Sequence, residues 1–190
     1  MFKKKLEQRK ILDLGCGDQK LSRKHIFSNY DFNGKVIGLD LNKTEGADII
    51  CDLEKGKLPF ENDSFDIVFT SHCLEHIDNI IPLIYEIHRV LKKGGHFLVA
   101  VPHTSYIDSM NDLTHKRLFG YNSFDFLIKE YHQQLRNKIL FKMIKRKIVF
   151  SKIFKILGIE FLANKFPILY SGFFTGIFQA REIYFEMEKK

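Results

Sequence analysis

A chain of 190 residues is the size of one α/β domain and long enough to bury a substantial core. It is 45% hydrophobic and 28% charged, with 19 phenylalanines, which excludes disorder, a collagen-like repeat and a disulfide-stapled miniprotein. The formal charge of +7 is concentrated in residues 129–157, which hold nine Lys/Arg against one Glu, while residues 1–128 hold 17 against 18. Such a segment is read either as the solvated face of a strand and helix or as a contact for phosphate, nucleic acid or an anionic membrane surface.

The basic start MFKKKLEQRK runs into ILDLG rather than into an apolar stretch with a cleavage site, so no secretion signal is expected. Apolar segments at 10–14, 35–39, 48–51, 66–70 and 97–101 alternate with helical patterns, as in parallel βαβ units. Only residues 41–48 separate the second and third segments, too few for a helical crossover, so the third strand should be short. Ile80, Leu83, Ile84, Ile87, Val90 and Leu91 recur at helical spacing, and Lys92-Lys93-Gly94-Gly95 reads as the C-cap of that helix. A basic strand over 141–150 should pair with residues 181–188, where Ile183, Phe185 and Met187 alternate with glutamates as in a half-buried strand. Between them, KFPILYSGFFTGIF is shorter than the ~20 apolar residues that span a bilayer. Most of the aromatics Phe161, Phe166, Tyr170, Phe173, Phe174, Phe178, Tyr184 and Phe185 are assigned to packing. Residues 1–190 are expected to form a single α/β domain. Its core is a Rossmann-like, doubly wound sheet of about seven strands, mostly parallel with an antiparallel C-terminal strand. Residues 102–121 are expected to be a substrate loop and 151–179 a C-terminal insertion.

Ligands of open parallel sheets bind beyond the carboxyl ends of the strands. The first strand ends in Asp13-Leu14-Gly15-Cys16-Gly17, where glycines permit a tight turn and close approach to a ligand. A dinucleotide GxGxxG fails, because its third glycine would be Lys20. Asp40, at the end of the second strand and 23 residues after Gly17, can accept both hydroxyls of a ribose. Asp52 after the third strand could accept an adenine amine. The fourth strand ends in Thr70-Ser71-His72-Cys73-Leu74-Glu75-His76 and the fifth in Val101-Pro102-His103. The three cysteines Cys16, Cys51 and Cys73 form no CxxC pair, consistent with a reducing cytoplasm.

Together LDLGCG, GLDL, CDLEKGKLPFENDSFDIV, SHCLEHI and EIHRVLKKGGHFLVAVP resemble the successive motifs of class I S-adenosylmethionine-dependent methyltransferases, over about residues 10–103. The resemblance implies S-adenosyl-L-methionine as cofactor and S-adenosyl-L-homocysteine as product. It implies that Asp13, Gly15, Cys16 and Gly17 surround the methionine part, Asp40 and Leu41 the ribose, Asp52 and Leu53 the adenine, and that Ser71 and His72 flank the sulfonium. Gln19 stands where the family often has a further glycine. GCGDQKLS, MNDLTHKRLF and YNSFDF resemble more narrowly a type 11-like subset of small-molecule methyltransferases linked with cell-envelope glycans, with Leu113 where that subset favours proline.

Methyl transfer from a sulfonium is an in-line displacement that asks for positioning and, for a hydroxyl acceptor, a base. His103 and His115 are the candidate bases, with Asp112 to orient an imidazole; alternatively these groups brace the loop. Asp108, Asp112, His103 and His115 could supply mixed oxygen and nitrogen ligands to a metal, but they show no known ligand spacing and no HExxH surrounds His72 and His76, so no metal is expected and those two histidines are read as facing the cofactor edge. The turn TSHC lacks the Pro-Pro-aromatic pattern of amino methylation of bases and the Pro-Cys of cytosine methylation, which disfavours nucleic acid as acceptor. The expected reaction is O-methylation of a small polar metabolite or a sugar hydroxyl, for envelope glycans. One alternative is a lipid-linked or quinone-like acceptor at a membrane surface, through the basic segment and Phe161–Phe178. The other is a non-catalytic cofactor-binding or RNA-binding scaffold. The oligomeric state, a homodimer included, stays open.

Overall fold

The computed structural model describes residues 8–128 and 140–190. Residues 1–7 of the basic start and 129–139 of the basic segment lie outside the described residues. The strands are β1 (Arg9–Leu14), β2 (Gly34–Asp40), β3 (Ile49–Ile50), β4 (Phe65–Ser71), β5 (Leu91–Pro102), β6 (Phe141–Val149) and β7 (Glu182–Lys189). They form a seven-stranded sheet in the order β3-β2-β1-β4-β5-β7-β6. β1 to β5 pair in parallel, and β7 runs antiparallel to both β5 and β6, as the expected fold class requires. Ile11, Leu12 and Leu14 of β1 are fully buried, as a central strand covered on both faces demands. From β1 the chain builds outward to β2 and β3, then returns to add β4 on the other side of β1. That reversal opens a crevice at the carboxyl ends of β1 and β4.

α1 (Ile80–Val90) buries Ile80, Leu83, Ile84, Ile87 and Val90, one apolar stripe against the sheet. The expected Lys-Lys-Gly-Gly cap is corrected. The helix stops at Val90, and the fully buried Leu91 enters β5 directly with ψ 139°. Leu91 pairs with Phe65 and the ladder resumes at Ile67 and His96, so residues 92–95 bulge out, with Gly94 at φ +72°. Burial of Leu91 in the sheet, not a glycine cap, ends the helix.

β7 departs from the half-buried expectation: Ile183 to Met187 are all buried. It lies between β5 and β6, and its second face is covered by Phe27, 5.8 Å from the Tyr184 ring. Phe27 belongs to a 3-10 turn (Lys24–Phe27) that stands between β1 and β2 in place of a crossover helix. Much of the basic segment that is described is paired internally. Lys142 and Lys145 of β6 oppose Glu188 and Glu186 of β7, Arg146 pairs with Asp125, and Lys147 and Lys155 both approach Glu160 at 3.7 Å.

Residues 103–128 carry the short α2 (Asp108–Asn111), and the insertion carries α3 (Lys152–Ile156), α4 (Ile159–Lys165) and α5 (Pro167–Leu169). The assignment of its aromatics to packing is corrected. Tyr170, Tyr184 and Phe185 are buried, but Phe161 and Phe173 are 67% and 75% exposed and Phe166 and Phe174 are exposed as well. α4 is fastened to β6 by Asn164, whose Oδ1 accepts from Ile148 N–H at 2.8 Å and whose Nδ2 donates to Ile148 O at 2.7 Å. One side of these one- to two-turn helices is thereby spent on the sheet, and the other remains uncovered. Among the described residues no helix is long and apolar enough to cross a membrane.

Candidate active site

The turn after β1 is held to β2 by its backbone. Gly15 N–H and Cys16 N–H both donate to Leu39 O, at 2.8 and 3.0 Å. Gly15 sits at φ +67°, and a Cβ there would lie 2.5 Å from Cys73 Sγ, so only glycine fits. Gly17, at φ +56° beside open space, donates its N–H to Asp40 Oδ2 at 2.9 Å, while Asp40 Oδ1 accepts from Asn42 N–H at 3.0 Å. Leu41, next to Asp40, is exposed. Asp13 is buried under the turn and accepts from Leu21 N–H at 2.5 Å; burial pushes its carboxyl up to about 7. Cys16 is buried, and burial likewise pushes its thiol up to about 11, so it is a packing residue with little thiolate character.

The ends of the later strands complete the crevice. Asp52 Oδ1 accepts from Glu54 N–H at 3.0 Å and caps a 3-10 turn whose first residue, Leu53, is buried. The buried Ser71 Oγ has no hydrogen-bond partner among the described residues. His72, in the left-handed region at φ +52°, sets its ring between two carboxylates: Nε2 lies 3.2 Å from Glu182 and Nδ1 3.5 Å from Glu75. Burial raises the Glu182 pKa, but hydrogen bonds from His72 and Tyr184 and the Arg23 charge outweigh it and hold it near 2. Glu182 is 110 residues from His72, and only the β5-β7 pairing brings them together.

The motif MNDLTHKRLF is explained by a clamp. Four consecutive residues fasten onto the chain that follows β4. Thr114 Oγ1 lies 3.0 Å from His76 Nδ1, and Lys116 N–H donates to Glu75 O at 2.8 Å. Lys116 Nζ reaches Glu54 at 2.5 Å and Asp78 at 3.0 Å, and Arg117 donates to Ile77 O and Asp78 O at 2.8 and 2.5 Å. The result seats His115 with its ring centroid 4.8 Å from that of His76, over the buried Glu75. His115 Nδ1–H donates to Ser109 O at 2.9 Å, and Nε2 faces Asp112 Oδ2 at 3.6 Å. The structure brings His115 and Asp112 side by side, and Ser109 is the group that orients the ring. Hydrogen bonds from Thr114 hold Asp112 below the usual carboxylate range.

His103 stands apart from that pair. It is buried, with Ser105 N–H donating to its Nδ1 at 3.1 Å and the Tyr170 ring 6.0 Å away. Burial pushes its pKa down to about 4, so the ring is neutral near pH 7. With Nδ1 accepting, its proton sits on Nε2, and His103 presents a donor where the expected role needs an acceptor. Glu75, Thr114 and Glu182 were not singled out by sequence; the signal for Glu75 was a carboxylate inside the otherwise apolar and imidazole-bearing stretch Cys73–His76.

The family described as hypothetical methyltransferase matches residues 1–163. The chain belongs to this family. The crystal structure of an S-adenosylmethionine-dependent methyltransferase from Archaeoglobus fulgidus superposes with a TM-score of 0.64 at 17% identity, covering 96% of this chain and 86% of that one. A protein of Methanocaldococcus jannaschii is 26% identical over 84% of this chain and 78% of its own length. A sterol 4-C-methyltransferase of Caenorhabditis elegans is 30% identical over 46% of this chain, which spans 29% of that enzyme's length. The chain is thus a member of the hypothetical methyltransferase family with the fold of an S-adenosylmethionine-dependent methyltransferase, and it spans about a third of the length of the sterol methyltransferases it matches.

Proposed function

We propose that the chain transfers the methyl group of S-adenosyl-L-methionine to a hydroxyl oxygen of a small-molecule acceptor. The cofactor would lie over Gly15–Gly17, with Asp40 at its ribose, Asp52 and Leu53 at its adenine, and Ser71 and His72 on the sulfonium side. The observation that carries the reading is the clamp, because it gathers Glu75, His76, His115 and Asp112 beside the carboxyl end of β4. This cluster would take the proton of the acceptor hydroxyl, and the bound cofactor would supply its methyl group to that oxygen in line and leave as S-adenosyl-L-homocysteine. Positioning supplies most of the acceleration, since the leaving group is already activated.

A polar metabolite or sugar hydroxyl fits this cluster. The insertion favours a second reading, a lipid-linked or quinone-like acceptor presented at a membrane surface. Leu162, Phe166, Phe174 and Phe178 border an apolar groove of about 270 Å³. Tyr170 in its wall has its Oη 3.3 Å from Ser105 Oγ on the substrate loop. The internal pairing of the described basic residues supports a small-molecule acceptor over RNA. Incubating the protein with methyl-labelled cofactor and separated polar and lipid extracts tests both readings. Label in the polar fraction selects the first and label in the lipid fraction the second. No label in either, from protein that binds S-adenosyl-L-homocysteine, leaves the scaffold reading.

A further inference from the structure

We propose that Glu75, His76 and His115 form a binding site for a divalent transition-metal ion, with Asp112 at its edge. One ligand atom from each of the three lies within 4.8 Å of the others. The independent observation is Glu75 itself: its side chain is 1% exposed and neither carboxylate oxygen has a hydrogen-bond partner among the described residues. Among the described residues, the ionisable group within 4 Å of it is His72, with Nδ1 at 3.5 Å. A buried carboxylate whose oxygens accept no hydrogen bond is costly, and a coordinated cation removes that cost.

The two imidazoles are already oriented as metal ligands are. His115 Nδ1 faces the carbonyl of Ser109, which can only accept, so Nδ1 carries the proton and Nε2 a free lone pair. His76 Nδ1 lies 3.3 Å from Thr114 O and 3.0 Å from Thr114 Oγ1, and that hydroxyl spends its own proton on Asp112 Oδ1 at 2.6 Å. His76 must therefore also donate from Nδ1 and leave Nε2 bare. An imidazole whose other nitrogen donates to a backbone carbonyl is the usual support of a metal-bound histidine. At His115 the bare Nε2 faces Asp112 Oδ2 at 3.6 Å, two acceptors turned toward each other. Tetrahedral bonds of about 2.1 Å place ligand atoms roughly 3.4 Å apart, so the ion draws the side chains together by about 1.4 Å. Two imidazoles with one or two carboxylates select Zn²⁺, Co²⁺, Mn²⁺ or Fe²⁺ over Mg²⁺ and Ca²⁺, which prefer all-oxygen sites. His76 stands 39 residues before His115, which is why no metal spacing shows in the sequence.

Ion binding stands apart from the methyl-transfer reading. Its use rests on that reading: the ion would hold the acceptor oxygen beside the sulfonium and lower the pKa of that hydroxyl, with the proton passing to solvent in place of the coordinated imidazoles. The test is calorimetric titration of chelator-treated protein with Zn²⁺ and Mn²⁺, together with the visible spectrum of Co²⁺. One ion per chain is expected, with micromolar or tighter affinity for Zn²⁺. Glu75→Gln and His115→Asn should each weaken it at least tenfold, and Thr114→Val, an exposed change that loosens His76, by about tenfold. Should Glu75→Gln fail to fold, the other two variants decide. No stoichiometric ion in the wild type, or affinity unchanged in His115→Asn and Thr114→Val, overturns the site. Ion binding without S-adenosyl-L-homocysteine binding overturns the methyl-transfer reading and leaves the site standing.

Discussion

Gly17 N–H donates to Asp40 Oδ2 at 2.9 Å, so the carboxylate that ends β2 is tied to the glycine turn that ends β1. One oxygen braces the turn, and the group stays half-exposed for a ribose hydroxyl. Asp40→Ala removes both contacts, and a lost charged hydrogen bond costs about 1.5–3 kcal/mol. S-adenosyl-L-homocysteine affinity should fall about 10- to 150-fold by calorimetry, and Asp40→Asn, which still accepts from Gly17, should fall between. Unchanged affinity in the alanine variant would remove Asp40 from the cofactor site.

The two glycines of the turn should separate fold from function. Gly15→Ala drives a Cβ to within 2.6 Å of both Cys73 side-chain atoms at positive φ, which overpacking and left-handed strain together make worth about 3 kcal/mol. Gly17→Ala meets nothing within 4 Å and pays only the left-handed penalty, about 1 kcal/mol. Chemical denaturation should show the first variant severely destabilised and the second nearly wild type, with cofactor binding reduced in both. Equal destabilisation of the two would mean that the contact with Cys73 does not govern Gly15.

The parts of the site legible in the sequence are those built by one strand and the turn after it. Asp13, the glycines and Asp40 announce themselves because a parallel sheet presents its strand ends on one side. Glu182 and the His76–His115 stack were not legible, since antiparallel pairing of β7 and a loop returning over β4 create them. Gly94 misled for a physical reason: a glycine after a helix is read as a cap, but the burial of Leu91 had already ended it. Phe161 and Phe173 misled because an aromatic-rich stretch packs only where its helices are long enough to lie along a core, and here they run three to seven residues.

His103 should make the fold acid-sensitive. Its folded pKa, about 4, lies below the ordinary 6.5 because burial disfavours the imidazolium. Stability from keeping it neutral is therefore complete above pH 6.5 and is lost as pH falls toward 4, on the order of 3 kcal/mol in all. His103→Asn can still accept from Ser105 N–H but does not titrate. Urea midpoints of the wild type should drop more steeply than those of the variant between pH 6.5 and 4. Parallel slopes would show that His103 is solvated enough to protonate freely.

The uncovered face of the insertion gives the membrane-surface reading its own measurement. Phe161 and Phe173 are mostly exposed, and Lys165 Nζ lies 5.8 and 5.4 Å from the Phe161 and Phe166 ring centroids. Aromatic side chains with lysines among them suit the interface of an anionic bilayer, where each buried ring contributes up to about 1.5–3 kcal/mol and each lysine about 1 kcal/mol. The protein should co-sediment with phosphatidylserine-containing vesicles at low salt, less at high salt, and the Phe161→Ser/Phe173→Ser double variant should bind at least tenfold more weakly. Because both rings already face water, the melting temperature of that variant should stay within a few degrees of wild type. Vesicle binding that ignores both substitutions, or that never occurs, would leave the polar acceptor as the reading to pursue.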